Sequence, residues 1–128
     1  MSFQERTVLL VEDTDDSRVV LKRTLEIQGY HVLEAGNGLE ALELIKERCP
    51  DLILMDLNMP GLDGLGAIEQ IRQREGRCVD VPIIVMTAFD TYGMKQAAME
   101  VGCNEYIKKP LGLDSLAIVL RGYLEPPL

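Results

Sequence analysis

Three short segments of this chain are almost wholly apolar: Val8–Val11, Leu52–Met55 and Ile83–Met86. None alternates between apolar and polar residues, so as strands they have no face left for water. Runs of this kind suit the interior of a parallel sheet that carries helices on both sides. Two weaker strands are predicted at His31–Glu34 and Glu105–Ile107.

The intervening segments carry helical period. Met94, Ala97, Ala98 and Val101 fall at i, i+3, i+4 and i+7, as do Leu116, Val119, Leu120 and Tyr123. Ala41, Leu42 and Ile45 make another stripe, and Leu65, Ile68 and Ile71 a fourth. Ser17–Gln28 brings Val20, Leu21, Leu25 and Ile27 before Gly29, a stop signal. Gly36-Asn37-Gly38, Pro60-Gly61, Gly76 and Gly102 punctuate the junctions. Gly93 falls inside the predicted fourth helix, where glycine costs about 1 kcal/mol against alanine and leaves the first turn mobile. Five strand–helix units with right-handed crossovers give an α/β domain of three layers, α/β/α, and not a barrel, which needs eight. The whole chain, 1–128, reads as a single domain with its core over about 6–124.

Charge and cysteine content narrow the function. Thirteen basic against 21 acidic residues leave a net charge of -8, which opposes a sequence-independent grip on nucleic acid or anionic lipid. No apolar run reaches the length of a membrane span, and the start lacks the apolar centre of a signal peptide. The three cysteines, Cys49, Cys78 and Cys103, are odd in number and far apart, with no CxxC pair and one histidine in the chain. That pattern disfavours both a disulfide framework and a zinc site. A reduced, cytoplasmic domain without membrane insertion is expected.

Open parallel sheets bind ligands beyond the carboxyl ends of their strands. Glu12-Asp13-Thr14-Asp15-Asp16 follow the first apolar run, Asp56-Leu57-Asn58 the second, Thr87-Ala88 the third, and Lys108-Lys109-Pro110 the last weak strand. Asp15 and Asp16 open a helix, where capping and the helix dipole explain them. Glu12, Asp13 and Asp56 are different. If the strands before them are neighbours, these acids lie within several ångströms, and two charges about 5 Å apart repel by ~3 kcal/mol at an effective dielectric near 20. Protons or a cation must offset that, and hard oxygen ligands with room for water suit Mg²⁺. A carboxylate beside Mg²⁺ can act as a nucleophile toward a phosphoryl group, for which Lys109 supplies positive charge and Thr87 a hydroxyl donor. Lys108, one position earlier, faces solvent.

Val11-Glu12-Asp13, Met55-Asp56-Leu57-Asn58-Met59-Pro60-Gly61-Leu62-Asp63-Gly64, Thr87-Ala88 and Tyr106-Ile107-Lys108-Lys109-Pro110 together resemble the receiver domain of two-component response regulators, a likeness that runs from Val8 to about Leu124. The resemblance implies a flavodoxin-like sheet in the order 2-1-3-4-5. It implies that Asp56 accepts a phosphoryl group from a phosphohistidine of a sensor kinase or histidine phosphotransfer protein. Asp13 and Asp56 would hold Mg²⁺ directly, the Asn58 carbonyl would be another ligand, and Glu12 would act through water. Asn58 and Ala88 would offer backbone contacts to the phosphoryl group. Thr87 and Tyr106 would form the switch, coupling Asp56 to the surface of the fourth helix, fifth strand and fifth helix, where a downstream protein effector docks. Lys109-Pro110 would be cis. Cys103 is expected to pack in the core.

Phe89 is bulky where many receivers are polar, and with Asn58 it is expected to screen the phosphoryl group from hydrolytic water. Three other readings compete. Gly36-x-Gly38-x-x-Ala41 resembles a dinucleotide fingerprint, but it follows the wrong strand and leaves Thr87 and Lys109 without work. A Mg²⁺-dependent phosphohydrolase of the haloacid dehalogenase kind needs an acid where Asn58 stands. A receiver-like docking module that is never phosphorylated would not need the intact acids, hydroxyl and lysine. The expectation is therefore a stand-alone regulator that turns over no external metabolite and does not bind nucleic acid directly.

Overall fold

In the computed structural model, the described residues are 6–57, 64–73, 77–88, 92–110 and 112–124. The elements run β1 (Thr7–Val11), α1 (Asp15–Ile27), β2 (His31–Ala35), α2 (Gly38–Glu47), β3 (Leu52–Asp56), α3 (Gly64–Gln73), a 3-10 turn (Arg77–Asp80), β4 (Ile83–Thr87), α4 (Met94–Val101), β5 (Glu105–Lys108) and α5 (Leu113–Leu124). All strand pairs are parallel, in the order β2-β1-β3-β4-β5. No helix among the described residues is long and apolar enough to cross a membrane.

The three apolar runs become β1, β3 and β4, each buried along its full length. Because successive side chains point to opposite faces, one run feeds two cores. Leu9, Val11, Ile53, Met55, Ile83 and Val85 pack under α2, α3 and α4. Val8, Leu10, Leu52, Leu54, Ile84 and Met86 pack under α1 and α5. Each such side chain contributes about 1.5–3 kcal/mol when fully buried, which explains why neither face tolerates polar alternation.

Local signals set the helices. Asn37 caps α2 by accepting from the Glu40 amide at 2.9 Å, and Glu40 reaches back to the Gly36 amide. These reciprocal bonds satisfy two otherwise orphaned donors and account for the Gly36-Asn37-Gly38 segment without any nucleotide. Of the four apolar residues that the sequence places in α1, Leu21 and Leu25 are buried, whereas Val20 and Ile27 are exposed. At 3.6 residues per turn, Val20 and Ile27 stand roughly 100–160° around the helix from Leu21 and Leu25, off the face that packs on the sheet. Gly93 is not inside α4 but caps it, with φ of 81°, a left-handed conformation that glycine adopts without the Cβ penalty.

Cysteine usage also departs from expectation. Cys49 and Cys78 form a disulfide, with Cα atoms 5.5 Å apart. The two lie 29 positions apart in sequence, and distance along the chain argued against pairing. Yet Cys49 precedes β3 and Cys78 lies in the turn that precedes β4. These strands are neighbours, and the Ile53 amide donates to the Pro82 carbonyl at their starts, so the segments leading into them meet. Cys103 is the free cysteine, buried in the α2–α3–α4 core as expected.

Candidate functional site

Register decides what meets at the carboxyl edge. Val11 pairs with Met55 and Asp56 with Met86, while Thr87 pairs with Lys108. The residues that follow β1, end β3 and β4 and follow β5 therefore leave adjacent strands at one level. Glu12 and Asp56 are buried at 1% and 3% exposure, Thr87 is fully buried, and Asp13 is half-buried.

One carboxylate oxygen from each of Glu12, Asp13 and Asp56 lies within 4.8 Å of the others. The Lys109 ammonium donates to Glu12 Oε2 at 2.9 Å and to Asp56 Oδ2 at 3.3 Å. Glu12 Oε1 also accepts from the Thr14 amide at 3.3 Å. Burial raises the Glu12 carboxyl above its ordinary range; its Lys109 bond opposes the rise and the nearby Asp56 adds to it. For Lys109, burial by itself would lower the ammonium, but the bond to Glu12 and the charges of Asp56 and Glu12 prevail and raise it. One ammonium thus faces three acids. At separations near 5 Å and an effective dielectric near 20, each acid pair repels by roughly 3 kcal/mol, so the cluster has capacity for a further cation. All three donors are hard oxygens, a set that suits a small divalent ion.

Alternation along β5 separates the two lysines: Lys108 is exposed and Lys109 turns in to the acids, its amide donating to the Thr87 carbonyl at 2.7 Å. The Lys109–Pro110 peptide is cis. Tyr106 is half-buried against the core under α2, α3 and α4, and Ala88 is exposed just past Thr87. Asn58 and Phe89 lie outside the described residues.

Two contributors were not singled out in the sequence. Arg18 donates to the Glu12 carbonyl at 2.9 Å while pairing with Asp15 and with Glu34 at 3.5 Å, which fixes the backbone that carries the acids. Its place three residues after Asp15 on a helix was the available signal. Gly64, the first residue of α3, sits against the end of β3: a Cβ there would come within 2.7 Å of Leu57 Cδ2 and 3.0 Å of the Asp56 carbonyl oxygen. Only a residue without a side chain lets α3 start so close to Asp56.

Comparison with known proteins agrees with this geometry. The family model "Response regulator receiver domain" matches residues 8–121. Among curated relatives, a response regulator MprA of Mycobacterium sp. (strain KMS) is 38% identical over 117 residues, 91% of this chain and 50% of its own length. A probable transcriptional regulator ycf27 of Porphyridium aerugineum is 36% identical over 95% of this chain and 49% of its own length. This chain therefore spans about half the length of these relatives, and the reading of a regulator with nothing attached draws no support from them. Among solved structures, a response regulator from Chloroflexus aurantiacus superposes with a TM-score of 0.89 at 32% identity, covering 96% of this chain and 100% of that one. The receiver domain of a sensor histidine kinase from Pseudomonas aeruginosa, solved with a magnesium ion coordinated in its active site cleft, gives 0.87 at 32% identity, covering 96% and 100%. Chemotaxis protein CheY4 of Vibrio cholerae gives 0.87 at 29%, covering 94% and 100%. With the sheet order, the acids at its carboxyl edge and the matched length all in agreement, the chain belongs to the receiver domain family of two-component response regulators.

Proposed function

We propose that this chain is a phosphorylation-dependent switch in which Asp56 accepts a phosphoryl group from a phosphohistidine on a sensor kinase or histidine phosphotransfer protein. The observation that carries this reading is a buried Asp56 carboxylate held 3.3 Å from the Lys109 ammonium, with oxygens of Glu12 and Asp13 within 4.8 Å. An Asp56 oxygen attacks phosphorus, the P–N bond to the donor imidazole breaks, and the imidazole keeps the electron pair. Lys109 moves its charge from the carboxylate toward the phosphoryl oxygens, where negative charge is greatest in a loose transition state. Asp13 and Asp56 would hold Mg²⁺, with Glu12 acting through water and the Asn58 carbonyl as a further ligand. Bound there, Mg²⁺ supplies electrostatic neutralisation of the transferred group. Thr87 donates its hydroxyl to the new phosphoryl group, and the amides of Asn58 and Ala88 supply backbone contacts.

Readout follows from the position of Thr87 and Tyr106. Thr87 ends β4, and Tyr106 lies on β5, the edge strand flanked by α4 on one face and α5 on the other. Tyr123 of α5 donates to Glu105 of β5 at 3.0 Å, joining these two elements. A hydroxyl drawn toward Asp56 leaves space for Tyr106, and the α4–β5–α5 surface then presents a different face to a protein effector. The chain acts in the cytoplasm, promotes only its own aspartyl phosphorylation and dephosphorylation, and turns over no external metabolite. Residues 1–128 act as one receiver unit.

Intact-mass measurement after incubation with acetyl phosphate and Mg²⁺ tests the reading. A single phosphoryl addition is expected, absent with chelator and absent in Asp56→Asn. Addition that persists in Asp56→Asn overturns the assignment of the acceptor, and no addition to the parent protein leaves a docking module as the better description.

A further inference from the structure

The amino edge of the sheet, opposite the acids, carries a second constellation. Cys49 and Cys78 bridge the segments that lead into β3 and β4, and the span they enclose contains β3 with Asp56 and all of α3. Cys78 is 8% exposed, whereas Cys49 is only partly buried. Next to Cys78, the Val79 carbonyl accepts from Arg72 Nη1 at 2.7 Å. The same guanidinium, at the last turn of α3, donates through Nε to the Gly102 carbonyl at 2.9 Å and through Nη2 to Asn104 Oδ1 at 3.0 Å. Asn104 Oδ1 in turn accepts from the Ile83 amide at 2.8 Å, where β4 begins. Arg72 thus joins the turn that holds Cys78 to the junction between α4 and β5 by hydrogen bonds.

We propose that Cys49 and Cys78 form a reversible thiol–disulfide site whose state governs, through Arg72, how firmly the α4–β5 junction is held. With the cytoplasmic placement proposed above, thiol reductants keep such bonds transient, and a cysteine pair that closes there is a sensor and not a permanent staple. Exposure orders the chemistry. The Cys49 thiolate attacks one sulfur of a small disulfide such as oxidised glutathione, giving a mixed disulfide and one released thiol. The Cys78 thiolate then attacks the Cys49 sulfur and releases the second thiol. The two cysteines together lose two electrons and two protons, and the two departing thiols carry them. In the reverse direction a reduced thiol meets the Cys49 sulfur first and frees Cys78. Closing the bond pins the 3-10 turn to the end of α2. The Val79 carbonyl then holds the guanidinium in register with Gly102 and Asn104, and opening the bond releases that hold.

The experiment equilibrates the folded protein in oxidised and in reduced glutathione and counts alkylated cysteines by mass after denaturation. One alkylated cysteine is expected from the oxidised sample and three from the reduced one, interconvertible on changing the buffer. Failure of the bond to form in the folded protein overturns the proposal. Adduct formation tests the order: Cys78→Ser should accumulate a glutathione adduct and Cys49→Ser should not, and equal accumulation overturns the assignment of Cys49. Short-time hydrogen exchange reads the coupling. Oxidation should slow the amides of 77–80 and of 102–104 several-fold. In Arg72→Met it should still slow 77–80 but leave 102–104 unchanged. Exchange at 102–104 that ignores redox state in the parent, or responds equally in Arg72→Met, overturns the role of Arg72. No step of this test involves phosphoryl transfer, so its failure is distinguishable from failure of the acceptor assignment.

Discussion

Replacing Lys109 by methionine keeps most of the apolar stem and removes the ammonium from between two buried acids. At an effective dielectric near 20, its contacts of 2.9 and 3.3 Å with Glu12 and Asp56 correspond to gross attractions of roughly 6 and 5 kcal/mol. The variant need not lose that much, because a carboxyl can take up a proton. Protonating a group of ordinary carboxyl affinity at about pH 7 costs about 3–4 kcal/mol, and this caps the penalty. Lys109→Met also avoids desolvating the ammonium, so a loss of about 3 kcal/mol is expected. The proton goes to Glu12, which is 1% exposed and already raised by burial and by Asp56 against the opposition of Lys109. Over the window between the ordinary carboxyl range and the raised value, the folded variant then binds a proton that the unfolded chain does not. Stability in that window falls as pH rises, with a slope approaching about 1.4 kcal/mol per pH unit. The parent shares the sign with a smaller amplitude, since Lys109 limits the rise of Glu12. Urea unfolding followed by far-ultraviolet circular dichroism, in chelator, should show a deficit at about pH 7 that shrinks toward about pH 5.5, by at most about 2 kcal/mol and by less to the extent that the parent also gains. A deficit of the same size at both pH values, or none at neutral pH, would refute the reasoning.

Gly64→Ala gains about 1 kcal/mol of helix propensity but must displace Leu57 or the Asp56 backbone at 2.7 and 3.0 Å. A net loss of about 1–2 kcal/mol in urea is expected, and unchanged stability would mean that Leu57 yields freely. Asn37→Ala removes the cap on α2 and should cost about 1 kcal/mol, with Asn37→Ser recovering most of it; equal loss in both variants would point to a role other than capping. Mg²⁺ at a hundredfold excess over its dissociation constant should stabilise the parent by about 2.7 kcal/mol, an effect that chelator removes and Asp13→Asn lacks. A full Mg²⁺ response in Asp13→Asn would exclude Asp13 as a ligand.

Particular residues show how far the linear sequence reaches. Val8–Val11, Leu52–Met55 and Ile83–Met86 lack alternation because both faces of a central parallel strand are covered, so their burial was legible from composition alone. Asp13, Asp56 and Thr87 were legible because they stand just beyond such runs, and Lys109 because it follows the weaker strand Glu105–Ile107, where parallel strands deliver their ends to one edge. The sheet order came from family resemblance; periodicity gives the faces of a strand but not its neighbours. Asn37 was visible as a turn, while its capping bond depended on where α2 begins.

What this sequence determines by itself is the α/β class, the buried strands and the chemistry gathered at their carboxyl ends, because hydrophobic period and strand-end position act over a few residues. Tertiary structure alone decides that Cys49 meets Cys78, that Arg72 spans three segments, that Val20 and Ile27 of α1 stay in water, and that Lys109 lies nearer Glu12 than Asp56. Each of these depends on which strands become neighbours and at what register, and that choice is settled by packing two cores at once over the whole chain.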